Sequence, residues 1–392
     1  MKKIAFFVAI AACIACSGQS KDVPESKYAN KEALTAAECT EYAAELASAW
    51  KDSVKVATAA ALTARQVTFG EYTMKVAWSV FGNKPADGRS LYISLHGGGG
   101  GPAEMNDSQW ENQKRLYKPE EGIYLCPRGI TDTWDLHFRP ESDPCYEEVI
   151  RMAVANLDVN PDKVYIMGYS AGGDGVWRIA PRMADHWAAA SMMAGHPGDV
   201  SLLSLRNLPF MIWCGALDDA YNRNAECEAR IAELDALKAA DPDGYIHEGH
   251  IVPGKGHWMD REDIAAVPWM ARYVRNPYPR KVVWCQGDEP KKAFYWLGAP
   301  ASELAKGKVV RADVDGNTIN ITACDYSSLT IYLNDKLVNL DQPVKVVCDG
   351  KVLFQGTVTR SPATMRATLS ARQDLSYIFP AAVTVALKPE LL

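Results

Sequence analysis

Short apolar runs alternate along most of this chain with stretches whose apolar residues recur every three or four positions. Leu91 to Leu95, Gly122 to Cys126, Val164 to Met167, Ala188 to Met193 and Phe210 to Cys214 are runs of the first kind. They are rich in β-branched and aromatic residues, and they predict strands buried on both faces. Tyr146 to Leu157, Val176 to Ala180, Glu226 to Ala240 and Ile264 to Val274 carry the helical spacing and fall between or after the runs. Strands alternating with helices in this way predict an α/β fold, a mostly parallel sheet with helices on both faces.

The same patterning sets the flanks of that region. Leu34, Tyr42, Leu46 and Trp50 share one face of a helix expected over Lys31 to Trp50, with Asn30 as its N-cap. Gln66 to Phe69 and Met74 to Phe81 read as leading strands, Tyr245 to Val252 as a later one, and Val159 to Asp162 as a turn. After Asn276-Pro277-Tyr278-Pro279 and a strand at Val282 to Cys285 the texture changes. Val309 to Val314 and Thr318 to Ala323 flank Asp315-Gly316, and Val344 to Cys348 and Lys351 to Thr359 flank Asp349-Gly350, both hairpin signals. Ser361-Pro362 opens one helix, expected to run to Arg372, and a last strand falls near Val383 to Leu387. The division that follows is an α/β domain with its N-terminal helix over residues 31–300 and a small β-rich, sandwich-like domain over 301–392, which packs on the first or serves as a polysaccharide-binding accessory.

The first residues read as an address. Lys2 and Lys3 precede an apolar run from Ile4 to Ala15, the length of a signal peptide and too short to span a bilayer. Ala15-Cys16-Ser17-Gly18 resembles the lipobox of bacterial lipoproteins, although Cys13 stands where leucine is usual. The expectation is a signal over residues 1–15, lipidation at Cys16 and a tether over 16–30. That implies the bacterial cell envelope, at the outer membrane or periplasm, with membrane contact through the anchor only, or otherwise secretion.

Composition narrows the partners. The 392 residues are 48% hydrophobic and 23% charged with a formal net charge of −6, and no basic stripe appears, so nucleic acid is not expected. Apart from Cys13 and Cys16, eight cysteines remain, mostly inside strand-like runs where the thiol behaves as a small buried hydrophobe. Among these eight no C-x-x-C occurs, His247-Glu248-Gly249-His250 has the wrong spacing for a zinc helix, and Asp313 to Asn317 lacks the acid that closes a calcium loop. Neither a metal, nor a cofactor, nor a specific disulfide is expected.

The candidate chemistry centres on Gly168-Tyr169-Ser170-Ala171-Gly172, placed between a strand run and a helical stretch. Strand, G-x-S-x-G, helix is the pattern of a nucleophile elbow, whose glycines admit a turn too tight for a β-carbon. A serine needs a base to take its proton and a carboxylate to orient that base. Of seven histidines, only His257 both follows a candidate acid and sits in a glycine-flanked loop after a strand. Asp218 lies just past a strand end, with Asp219 beside it as a rival acid. Asp174, one helical turn past the serine, reads as structural or rim-forming. His96 opens a run of five glycines at Gly97 to Gly101, which serves either as a backbone N–H source for an oxyanion or as a loose surface loop. Trp134 and Phe138, in the loop after Cys126, either wall a substrate site or anchor that loop to the core, and His196 is a further substrate-binding candidate.

Together HGGGG, NPDKVYIMGYSAGG, GALDD and GKGHW resemble the α/β-hydrolase superfamily, and within it exported esterases of the polyhydroxybutyrate-depolymerase and feruloyl-esterase type, over roughly residues 66–275. The resemblance implies Ser170 as nucleophile, His257 as base and Asp218 as orienting acid, with backbone N–H groups of Gly97, Gly98 and Ala171 as the oxyanion hole. It implies hydrolysis of a carboxylic ester, on a small molecule or linked to a polysaccharide. A serine peptidase on the same machinery, and a catalytically silent surface-binding protein, are the alternatives that the residues leave open.

Overall fold

The computed structural model describes residues 26–387. The signal peptide over 1–15 and the lipidation of Cys16 lie outside the described residues. Eight strands form the main sheet: β1 (Gln66–Phe69), β2 (Tyr72–Phe81), β3 (Arg89–Leu95), β4 (Gly122–Pro127), β5 (Val159–Tyr169), β6 (Ala189–Met193), β7 (Phe210–Gly215) and β8 (His247–Val252). Their order is β1-β2-β4-β3-β5-β6-β7-β8, with β1 and β2 antiparallel to their neighbours and every pair from β4 to β8 parallel. This is the α/β-hydrolase arrangement. The expected turn at Val159 to Asp162 is instead the first part of β5, with Asn160 Oδ1 accepting the Asp162 N–H at 2.9 Å inside it.

Alternation along the strands sends side chains to two different cores. Leu91, Ile93 and Leu95 join Val164, Ile166 and Met192 on one face, under α1 (Ala36–Ala64), α3 (Ser142–Asn156), α4 (Ala171–Arg182) and α5 (Arg223–Ala240). Tyr92, Tyr165, Met167 and Trp213 form the other, under α6 (Ala266–Met270) and the side chains of Trp110 and Leu116. Because both faces are covered, the strands read as continuous apolar runs rather than as alternating ones.

Several elements differ from the expected bounds. α1 begins five residues after Lys31, because Thr35 and Glu38 form a reciprocal capping box that Asn30 does not supply. It also runs on past Trp50, through an alanine-rich stretch, to Ala64. The end of the expected tether is part of the core, with Tyr28 buried against Tyr42 at 5.7 Å between ring centroids. The segment from Ile264 to Val274 is a 3-10 turn, Glu262–Ala265, followed by the short α6. α2 (Ala103–Gln113) was not expected at all.

The C-terminal region is two stacked sheets. One has the order β16-β15-β13-β12-β9 and the other β10-β11-β14-β17. The first strands are β9 (Lys281–Cys285), β10 (Ala293–Phe294) and β11 (Leu297–Gly298), followed by β12 (Val309–Asp315), β13 (Thr318–Cys324) and β14 (Ser328–Leu333). After them come β15 (Val344–Cys348), β16 (Lys351–Gly356), α7 (Pro362–Arg372) and β17 (Ala381–Ala386). Since β9 pairs with β12, this unit begins near residue 281 rather than at 301. It shares one apolar core with the α/β part. Buried Arg275 clamps the seam, its guanidinium bonding Asp162 at 2.7 Å, Asp374 at 2.7 Å and the Asp185 carbonyl at 2.7 Å. Tyr377 Oη adds a bond to that same carbonyl at 2.8 Å.

Candidate active site

The chain leaves β3 toward β4 on one side of the sheet and β5 toward β8 on the other, so the strand order reverses between β3 and β5. A crevice opens at the carboxyl ends of strands at such a switch point. Ser170 follows β5 there and Gly97 follows β3, with Leu95 and Gly168 in register between them. The elbow is sterically closed. A Cβ on Gly168 would stand far inside contact distance of the Gly172 carbonyl, and one on Gly172 would do the same to the Leu95 carbonyl. Ser170 itself has φ 58° and ψ −121°, a conformation that L-residues rarely adopt, and it is held by the Ser170 N–H to Met193 carbonyl bond of 2.9 Å.

The other two polar groups come from the loops after β7 and β8. His257 Nε2 lies 2.8 Å from Ser170 Oγ, and its Nδ1 lies 2.8 Å from Asp218 Oδ2. Asp218 is buried, whereas its rival Asp219 is exposed. Arg223 Nη1 stands 3.5 Å from the other Asp218 oxygen. The two loops are knit together by Leu217 N–H to Lys255 carbonyl at 2.8 Å and Ala216 N–H to Val252 carbonyl at 3.0 Å. Tyr169, next to the serine, fixes the histidine loop by donating its hydroxyl to the His257 carbonyl at 2.7 Å and accepting the Met259 N–H at 3.1 Å. In this arrangement an imidazole can take the serine proton while a carboxylate holds its tautomer.

Bare backbone faces the serine on its other side. An ideal Cβ on Gly97 would lie 3.3 Å from Ser170 Cβ, so only glycine approaches this closely without displacing a neighbour. Gly98 follows with φ 104°. Ala171 is the first residue of α4, so its N–H has no carbonyl one turn back in the helix, and the positive end of the helix dipole falls at the same point. The glycine run is not loose: buried Asn106 accepts the Gly99 N–H at 2.7 Å and donates to Asp132 at 2.9 Å, and Asp132 pairs with Arg128. His96 has Gly97 carbonyl at 2.6 Å from Nδ1 and accepts the Gly129 N–H on Nε2 at 3.0 Å, which requires the neutral ring. Burial pushes its pKa down to about 4, and burial holds the adjacent His137 well below the ordinary histidine range.

The cleft over Ser170 has a volume of about 720 Å³. Gly97, Gly98, Tyr169 and His257 form its floor, and its walls come from Trp258, Arg261 and the stretch from Gln109 to Leu116. The part of this lining on and just after α2 is what sequence reasoning missed. Trp134, Phe138 and His196 do not line the cleft. Trp134 meets the buried Phe138 edge-on at 5.1 Å and backs Gly99 from behind. His196 turns Nδ1 onto its own Gly198 N–H at 3.0 Å, and its backbone N–H is held by Asp174 at 2.6 Å, a structural use of Asp174. Burial raises the Asp174 carboxyl above its usual range. The eight described cysteines carry no disulfide.

No profile of a known protein family matches the chain. An inferred esterase named NocK, from Nocardia uniformis subsp. tsuyamanensis, is 30% identical over 146 residues, 35% of this chain. The match spans 42% of the length of NocK. Among solved structures, a thermostable esterase overlays 54% of this chain and 62% of its own at 16% identity, with a TM-score of 0.39. Est1E from Butyrivibrio proteoclasticus overlays 53% of this chain and 95% of its own at 16% identity, with a TM-score of 0.35.

Proposed function

We propose that this protein is a serine hydrolase that cleaves carboxylic esters, acyl groups on carbohydrate among them, through an acyl-enzyme. The observation that carries the reading is the unbroken relay from Asp218 Oδ2 through His257 to Ser170 Oγ, both links at 2.8 Å, on the floor of an open cleft. The naming of NocK as an inferred esterase adds support. Ser170 Oγ attacks the ester carbonyl carbon as His257 Nε2 takes its proton, and the carbonyl oxygen becomes an oxyanion facing the N–H groups of Gly98 and Ala171. Collapse expels the alcohol, which takes that proton from His257 and leaves an acyl group on Ser170. Water, deprotonated by the same imidazole, then attacks the acyl carbon, and the carboxylic acid departs as Ser170 recovers its proton. Half-exposed Trp258 on the rim offers an apolar platform suited to a sugar or aromatic ring.

A fluorophosphonate probe tests the nucleophile: wild type is labelled and Ser170→Ala is not, with ester turnover falling on the order of a million-fold in the variant. Labelling that persists in Ser170→Ala sinks the assignment. Faster cleavage of anilides than of matched nitrophenyl esters would move the reading to a peptidase.

A further inference from the structure

The protein is acidic, with a net charge of −6, yet the cleft over Ser170 is lined by two arginines and by no carboxylate. Many arginines elsewhere are matched to acids, among them Arg128 with Asp107, Arg182 with Asp143, Arg206 with Asp241 and Arg275 with Asp162. Arg115, in the cleft, has a guanidinium with no hydrogen-bond or ion-pair partner among the described residues. Arg261 donates one N–H to the Leu116 carbonyl at 2.8 Å and forms no ion pair among the described residues. That bond ties the histidine loop to the segment after α2, so two guanidinium groups from different elements share one wall.

The nearby acids are occupied. Asp260 and Glu262 contact Lys255 at 2.7 and 3.8 Å, and buried Asp263 accepts the Tyr117 hydroxyl. Burial raises the Asp263 carboxyl above its usual range. The side-chain amides of Gln109 and Asn112, also on this wall, bond nothing among the described residues. A guanidinium is a planar fork of donors that matches a carboxylate two bonds at a time. Two such forks beside neutral amides make a wall that lacks an anion.

Resting on the esterase reading, we propose that the substrate is an ester whose body carries a free carboxylate, held by Arg115 and Arg261 while its ester carbonyl meets Ser170. An acylated acidic sugar has this chemistry.

Isosteric pairs test it on the full chain. For the alcohol side the pair is para-acetoxybenzoate and para-acetoxybenzamide; for the acyl side it is the nitrophenyl esters of para-carboxybenzoate and para-carbamoylbenzoate. The expected result is a kcat/KM ratio of about tenfold in favour of the anion in at least one pair, shrinking as salt rises from roughly 0.02 to 0.5 M. The ratio falls toward one in Arg115→Gln with Arg261→Gln. Arg115→Gln alone, which keeps the Arg261 bond to the backbone, lowers it part of the way, and fluorophosphonate labelling with the thermal midpoint reports whether each variant is folded. Equal rates within both pairs, or a preference that survives the double variant, overturn the carboxylate proposal and leave the esterase reading standing. Wild type that neither takes the probe nor turns over any of the four esters removes both.

Discussion

Around Ser170 a β-carbon on Gly168 or Gly172 has nowhere to go, whereas across the cleft Gln109, Asn112 and Arg115 stand in solvent with side chains that bond nothing among the described residues. The serine side is fixed from every direction: β3 and β5 in register, Asn106 under the glycine run, Tyr169 through the histidine loop, and carbonyl bonds stitching the β7 and β8 loops together. The α2 side is one largely polar helix, anchored through Trp110 and through buried Asn106 and Gln113, with Leu116 just after it. The contrast has a physical sense. Proton transfer and oxyanion stabilisation tolerate little misplacement, so their groups sit on over-determined backbone. Recognition of a substrate body through long, exposed side chains tolerates more, and such side chains are added to a helix at little cost to the fold.

The sharpest break in that contrast is a methyl group on the elbow. Gly172→Ala forces a Cβ against the Leu95 carbonyl, and neither β3 nor α4 can move without dragging the sheet. The expected loss is on the order of 4 kcal/mol of stability, read from the urea midpoint. Gly100→Ala is the contrasting control: its φ of 63° is a left-handed conformation, which Gly172 inside α4 does not adopt, but nothing stands within 4 Å, so about 1 kcal/mol is expected. Equal losses at the two positions would mean that crowding against the Leu95 carbonyl does not govern the elbow.

The next effect sharpens the comparison by pH. His96 is buried and neutral under the glycine run, with a folded pKa of about 4 against an ordinary 6.5 or so. As pH falls from about 6.5 toward 4 the unfolded chain takes up a proton that folded His96 refuses, so stability drops through that window by about 3 kcal/mol and this contribution stops changing below it. His137 acts in the same sense, while Asp174 and Asp263, whose carboxyls are raised by burial, act in the opposite one. The measurement is therefore a difference: the pH slope of the urea midpoint for wild type minus that for His96→Asn. A slope that is the same in both proteins between pH 4.5 and 6.5, roughly the window named, would show that His96 is solvated rather than sealed.

How well each side could be read from the sequence follows the same division. The elbow was legible because its constraint is local and steric: a strand run, two glycines around a serine, then a helical stretch admit few other backbones. The order of Ser170, Asp218 and His257 along the chain was likewise readable from where each fell after a strand run. α2 was not legible, because Ala103–Gln113 offers only Met105 and Trp110 as large apolar residues and presents no periodic face. The conspicuous aromatics Trp134 and Phe138 drew the substrate wall instead, but Trp134 backs Gly99 through its backbone and Phe138 packs against Trp134 and into the core. Capping chemistry explains the error at α1, where Thr35 and Glu38 stop the helix from starting at Lys31. In the C-terminal unit the Asp-Gly hairpins and the strand at Val282 to Cys285 were readable, but the pairing of that strand with β12 leaves no local signal, so it was left with the preceding domain.

The smallest expected effect is the one that tests the permissive side. Asn112 is exposed, near the end of α2, and its amide has no partner among the described residues. Asn112→Ala removes no bond and improves helix propensity by a few tenths of a kcal/mol, so the urea midpoint should move by no more than about 0.5 kcal/mol, in the stabilising direction if at all. A loss above about 1 kcal/mol would mean that the amide holds the wall in place through ordered water. The α2 side would then be built as rigidly as the elbow, and freedom to vary could not be what separates recognition from chemistry in this cleft.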